Sequence, residues 1–197
     1  KRTRQLVKLA HILTCPTDAI KKILVSEFHA DPHKVVIIPY SYQNLNRNSS
    51  RPETGRVLFV GSSAARKGLP YLAEAARLLK NDQKNVQVFV AGDFSEEIIK
   101  NPIFNAINFL GKLTASQIED QLAIADVFCL PSLAEGMPRA ALEAMSYGVP
   151  IVATRSSGVP IAQGEGGILV EERDPVEIAK NILTIVEDRE LRAKLSC

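Results

Sequence analysis

From residue 56 onward, short uninterrupted apolar runs alternate with stretches whose apolar positions recur at helical spacing. RVLFVG is β-branched and aromatic and ends in glycine, as a strand buried on both faces does. VQVFVAG, INFLG, DVFCLPS, VPIVAT and GGILV read as further strands. Between them, LPYLAEAARLLK, a short segment near 95–100, TASQIEDQLAIA, PRAALEAMSYG and DPVEIAKNILTIVED read as helices. Their ends are marked: Thr114 and Gln117 form a capping-box pair, and Gly148 closes the helix that begins near Pro138. Asp174 is an N-cap, with Pro175 at the first helical position and Glu177 three residues after the cap. Strand and helix in regular alternation predict a doubly wound α/β domain, a parallel sheet covered by helices on both faces.

The first 55 residues behave differently. LVKLAHILTC and a helix over about 17–27 lead into KVVIIPY, a short strand candidate. The stretch SYQNLNRNSSRPETG is polar and rich in Asn, Ser and Pro. It fits a linker between domains, or a long surface loop within one. Residues thus divide into 1–40, a linker at 41–55, and the α/β domain at 56–197.

Composition narrows the class. In 197 residues, 46% are hydrophobic and 23% charged, enough apolar material for a sizeable core. A formal net charge of +2 implies neither a nucleic-acid nor a membrane partner. Cys15, Cys129 and Cys197 lie too far apart for metal-ligand or redox spacing, which reads as a reduced, cytoplasmic chain. No apolar run approaches the ~18 residues of a membrane span, and KRTRQLVK lacks the apolar continuation of a signal peptide. The sequence opens without Met and reads as a fragment.

Open parallel sheets bind ligands where strands run out into helices, and three such loops here carry polar chemistry. VGSSAARKG is neither a Walker loop nor GxGxxG, yet it sets Ser62, Arg66 and Lys67 at a helix start. Hydroxyls, cations and unpaired N–H groups there suit a phosphate; a solvated helix start is the plainer reading. In EGMPRAALE, Glu135 stands in the loop before a helix and Glu143 in its second turn. A diphosphate on the N–H groups of Arg139 and Ala140 would have an acid at each end, and carboxylates accept hydrogen bonds from sugar diols. Alternatively, Ser132 and Glu135 make a capping box and Glu143 is an ordinary helical acid. ATRSSGVPIAQGEGG supplies further N–H groups, or a plain turn. No Asp-x-Asp pair suggests a metal-diphosphate site, and His11, His29 and His33 all precede the linker.

The ordered series VLFVGSSAARKGLPYLAEAARLL, VFVAGD, INFLGKL, IADVFCLPSLAEGMPRAALEAMSYGVPIVAT, GGILV and DPVEIAKNIL resembles the C-terminal domain of family 4 retaining glycosyltransferases of the GT-B fold. Those enzymes carry a Glu-x7-Glu motif, which Glu135 and Glu143 match. HILTCPTDAIKKIL through KVVIIPY looks like the end of that family's acceptor-side N-terminal domain leading into the hinge.

The resemblance implies metal-independent transfer of a hexose, with retention, from a nucleotide-diphosphate donor, UDP- or GDP-linked, with no cofactor. Lys67, with Arg66 beside it, would hold the diphosphate. Glu143 would take the ribose hydroxyls. Glu135 and the loop of Gly136, Met137, Pro138 and Arg139 would touch the transferred sugar, while Gly111, Lys112 and Leu113 would border the base, with Ser62 nearby. Glu135 and Lys67 are the candidates for catalysis. The acceptor, a glycan or lipid-linked sugar in polysaccharide or glycoconjugate biosynthesis, would meet a more complete N-terminal domain, so this chain would bind donor but transfer nothing. The parent protein would be cytoplasmic; peripheral contact of the basic N-terminal run with the inner face of a membrane is the lesser reading, a solvated helix the greater. The chain departs from the family at Ser62, where many members have Arg, and at Ile161, where many have Glu. A sugar-nucleotide epimerase of the same architecture and a non-catalytic nucleotide-binding module are the alternatives; a nicotinamide oxidoreductase is disfavoured by the first loop.

Overall fold

The computed structural model describes residues 2–41, 53–161 and 165–196. It separates into two compact units, Lys1–Ser41 and Tyr42–Cys197. Most of the expected linker, at 42–52, lies outside the described residues. Its last residues belong to the larger unit: the Gly55 N–H donates to Asp126 Oδ2 at 2.9 Å and the Glu53 N–H to the Ile124 carbonyl at 3.0 Å.

In the smaller unit, LVKLAHILTC divides between helix α1 (Arg2–Leu9) and strand β1 (Leu13–Cys15). Helix α2 (Asp18–Ser26) is capped by Thr17, whose hydroxyl accepts the Ile20 N–H. Strand β2 (Val35–Ile37) pairs in parallel with β1. It is shorter than KVVIIPY suggested, and Val36, Ile37 and Ile38 are exposed. Val7, Cys15, Ala30 and Val35 form a small core of their own.

The larger unit holds strands β3 (Arg56–Val60), β4 (Gln87–Ala91), β5 (Ile107–Gly111), β6 (Val127–Leu130), β7 (Ile151–Thr154) and β8 (Gly167–Val170). All pair in parallel, in the order β5-β4-β3-β6-β7-β8. Successive strand side chains point to opposite faces. Val57, Leu58 and Phe59 are all fully buried, so both faces of β3 are covered. The covering helices are α3 (Leu69–Asn81), α4 (Glu96–Ile99), α5 (Ala115–Ile124), α6 (Arg139–Ser146), α7 (Pro175–Glu187) and α8 (Arg189–Leu195). The doubly wound fold read from the sequence is the fold observed.

Local sequence fixes the helix ends. The Thr114 and Gln117 box forms in both directions, at 3.3 and 2.9 Å. Gly148, at φ 62°, ends α6 with Gly148 N–H to Met145 and Val149 N–H to Ala144, a Schellman pair of bonds. Asp174 caps α7 by accepting the Glu177 N–H at 2.9 Å. Helix α8 was not legible in the sequence, because Asp188 serves both as the end of α7 and as the cap of α8. Arg192 on α8 reaches the fully buried Asp126 at 2.6 Å, tying this last helix to the start of β6.

Candidate functional site

Strand β3 continues the chain toward β4 on one side, and β6 continues it toward β7 on the other. Between them the order of connection reverses, and the loops that follow, 61–68 and 131–138, flank one crevice at the carboxyl ends of the strands.

The first loop presents Lys67 inward. Gly68 sits at φ 71° as the N-cap of α3, and a Cβ there would lie 1.8 Å from the Pro131 carbonyl oxygen. Only glycine allows this left-handed turn so close to the second loop. The turn leaves the Lys67 side chain folded back over Gly61, where a Cβ would lie 2.2 Å from Lys67 Cδ. Arg66 is more exposed and donates to the Ala134 carbonyl at 3.0 Å, while the Leu133 N–H donates to the Arg66 carbonyl at 2.8 Å. The two loops are therefore stitched by backbone and side chain together.

Both cations converge on Glu135. Arg66 Nη1 and Lys67 Nζ approach its Oε1 at 2.7 and 3.0 Å. The Lys67 and Glu135 side chains are only 14% and 13% exposed, so the pair is largely withdrawn from water. That oxygen is buried, and neither cation meets it in good hydrogen-bond geometry. The contact is Coulombic rather than directional. The expected alternative, a capping box of Ser132 with Glu135, does not form. The N-cap of α6 is Pro138, with no side-chain cap, and the Ser132 hydroxyl is buried without a hydrogen-bond partner. Pro138 thus stands one position before the first helical turn rather than in it.

The third loop holds Glu135 from behind. The Glu135 N–H donates to the Ser156 carbonyl at 3.0 Å. Gly158, at φ 67°, packs its α-carbon so near the Gly136 carbonyl that a Cβ would lie 2.5 Å from it. Ser156 in turn donates its N–H to Glu172 at 2.8 Å, and its hydrogen bonds hold the Glu172 carboxyl below the usual carboxylate range. Ile161 is buried in the main core. An acid in its place would be aimed at apolar packing unless the loop turned.

Helix α6 begins beside Glu135. The Ala140 N–H has no acceptor among the described residues, which leaves a donor unmet at the positive end of the helix. Glu143 lies one turn above Arg139 on the same side of α6. Its charge, after burial and the charges of Glu119 and Asp120, helps raise the pKa of Tyr147.

A cleft of about 340 Å³ opens at the ends of β3, β4 and β5, lined among others by Ser62, Asp93, Lys112 and Leu113. Gly111, at φ 72°, ends β5 just before it, and its carbonyl accepts the Gly92 N–H at 2.9 Å. Asp93 was missed by the sequence reading, although its place straight after the glycine that ends VFVAG was visible. Ser156 and Gly158 lie in the third loop, which the sequence marked for its backbone N–H groups, but their contacts to the second loop run through backbone and leave no side-chain signature. Among expected residues, the structure brings Arg66, Lys67 and Glu135 into contact and gathers Ser62, Lys112 and Leu113 around the cleft. Met137 is half-buried in the second loop, with no polar contact among the described residues to assign it.

A six-stranded parallel sheet with this order, charged loops at its switch point and a cleft beside them, is a Rossmann-like nucleotide-binding architecture. The sequence pattern described as glycosyl transferases group 1 matches residues 54–188, and the chain belongs to that family. A D-inositol 3-phosphate glycosyltransferase of Corynebacterium efficiens is 30% identical over 220 residues, covering 98% of this chain and 52% of the relative. The chain spans about half the length of the curated relatives it matches. Among solved structures, S. aureus TarM superposes with a TM-score of 0.86 at 20% identity, over 99% of this chain and 40% of TarM. HepE of Anabaena, solved in complex with UDP-glucose, superposes with a TM-score of 0.79 at 20% identity, over 97% of this chain and 58% of HepE. At these identities the two structures speak to the fold.

Proposed function

We propose that this chain is the donor-binding half of a retaining, metal-independent glycosyltransferase of family 4 type, acting on a UDP- or GDP-linked sugar. The observation that carries the reading is the convergence of Arg66 and Lys67 on the crevice beside the open start of α6. Two cations and an unmet N–H at the positive end of a helix form a site for a diphosphate. In this reading Lys67 and Arg66 stabilise the departing diphosphate as its charge develops. Glu143 receives the ribose hydroxyls, Glu135 and the 136–139 loop meet the sugar, and the base enters the cleft beside Ser62, Lys112 and Leu113. The UDP-glucose held by HepE supports the same class of donor.

The acceptor, a glycan or lipid-linked sugar, would meet a more complete N-terminal domain, to which Lys1–Ser41 belongs. The chain by itself therefore binds donor and transfers nothing. We place it in the cytoplasm. Among the described residues, no helix is long and apolar enough to cross a membrane.

The test joins this chain to its acceptor-side half and follows a nucleotide sugar by NMR with a chelator present. Slow release of sugar or its transfer, with the donor's anomeric configuration kept, is the expected result. Inverted product, dependence on metal, or epimerised nucleotide without acceptor would overturn the reading.

A further inference from the structure

An anion's place is filled here by a side chain. Arg66 and Lys67 both lean on one buried oxygen of Glu135, at 2.7 and 3.0 Å, in contacts lacking hydrogen-bond geometry. If those cations hold a diphosphate, the carboxylate must first release them. We propose that Glu135 is a built-in competitor for the diphosphate, and that its displacement lets the site select a sugar-bearing nucleotide over the bare nucleoside diphosphate. The inference rests on the donor-site reading above and deepens it.

Once displaced, the Glu135 carboxylate needs new partners. Its side chain is largely buried, and its backbone is fixed by the Glu135 N–H bond to the Ser156 carbonyl, so the carboxylate leaves its cations without moving its loop and stays mostly out of water. A buried carboxylate stripped of its cations must find other donors or raise the energy of the complex. The hydroxyls of a bound sugar supply them; a bare diphosphate does not, and adds like-charge repulsion. The same balance drives product release. When the sugar leaves, Glu135 loses its hydroxyl partners and returns to Arg66 and Lys67, expelling the diphosphate. Glu135 is thereby a specificity-determining residue as well as a sugar contact.

Calorimetric titration of the protein and of its Glu135→Gln and Glu135→Asp variants tests this, using inorganic pyrophosphate, UDP, GDP, UDP-glucose and GDP-mannose as probes. Glutamine removes the charge; aspartate keeps it but shortens its reach. Both variants should bind pyrophosphate and the preferred bare nucleotide about tenfold more tightly, as expected when a close charge pair no longer competes. The sugar nucleotide should gain less, by a factor of about three or more, because the variants lose its hydroxyl contact. A gain with Gln alone would show ordinary repulsion and overturn the competitor. An equal gain for bare and sugar-bearing nucleotide would overturn the selection. Unchanged pyrophosphate affinity in a protein that binds it would sink the inference and spare the donor site. Failure of every form to bind any diphosphate would sink both.

Discussion

Lys67 lies folded across Gly61, with its Cδ 2.2 Å from where a Cβ on that glycine would stand. The glycine that follows β3 thus sets the path of a cation at the far end of its loop. Since the neighbour is a flexible side chain rather than backbone, Gly61→Ala should barely lower the melting temperature yet push Lys67 off its line toward Glu135. Calorimetry should then show diphosphate binding weakened by about three- to tenfold. Unchanged affinity would mean that Lys67 does not act from this position.

Gly68 should behave in the opposite way. It combines φ 71° with a Cβ position 1.8 Å from the Pro131 oxygen, and backbone cannot yield as a lysine tail can. Gly68→Ala should cost about 2–4 kcal/mol in denaturant unfolding.

Far from the crevice, Asp126 is fully buried between the Gly55 N–H and Arg192. Removing one partner of such a pair strands the other, so Asp126→Ala should cost about 3–5 kcal/mol. The loss should appear as early loosening of α8 in hydrogen exchange.

Glu143 separates the two ends of the proposed nucleotide. Glu143→Ala should weaken nucleoside diphosphate binding by about tenfold or more, the value of hydrogen bonds to a charged group. Pyrophosphate, which has no ribose, should bind unchanged.

Cys129 lies in the middle of β6, fully buried, and burial pushes its thiol far up. The unfolded thiol ionises near its ordinary pKa of about 8.5, while the folded one does not. Its contribution to stability is therefore present below that pH and lost as the pH rises above it. Site-resolved mass spectrometry should find Cys129 inert to alkylation until the protein unfolds.

The strands, the main helices and the sheet class were legible because apolar runs and helical spacing repeat without ambiguity from residue 56 onward. The caps at Thr114, Gly148 and Asp174 were legible because their chemistry is local. Helix α8 was not, since its cap is shared with α7 and its anchor, Asp126, is 66 residues away. The strand order was not legible either, as pairing is non-local. At the crevice, Lys67 and Glu135 stood out as charges in loops after strands. Their contact did not, because it depends on Gly61 making room for the Lys67 side chain and on Gly68 and Gly158 letting three loops approach at once.

The central claim is that the crevice between β3 and β6 receives a nucleoside diphosphate through Lys67. Its most direct test is calorimetric titration of the protein and of Lys67→Ala with UDP, GDP, ADP and NAD. Saturable binding of one diphosphate is expected, weakened about tenfold or more in the variant. Silence toward all four, binding of NAD alone, or binding indifferent to Lys67 would contradict it.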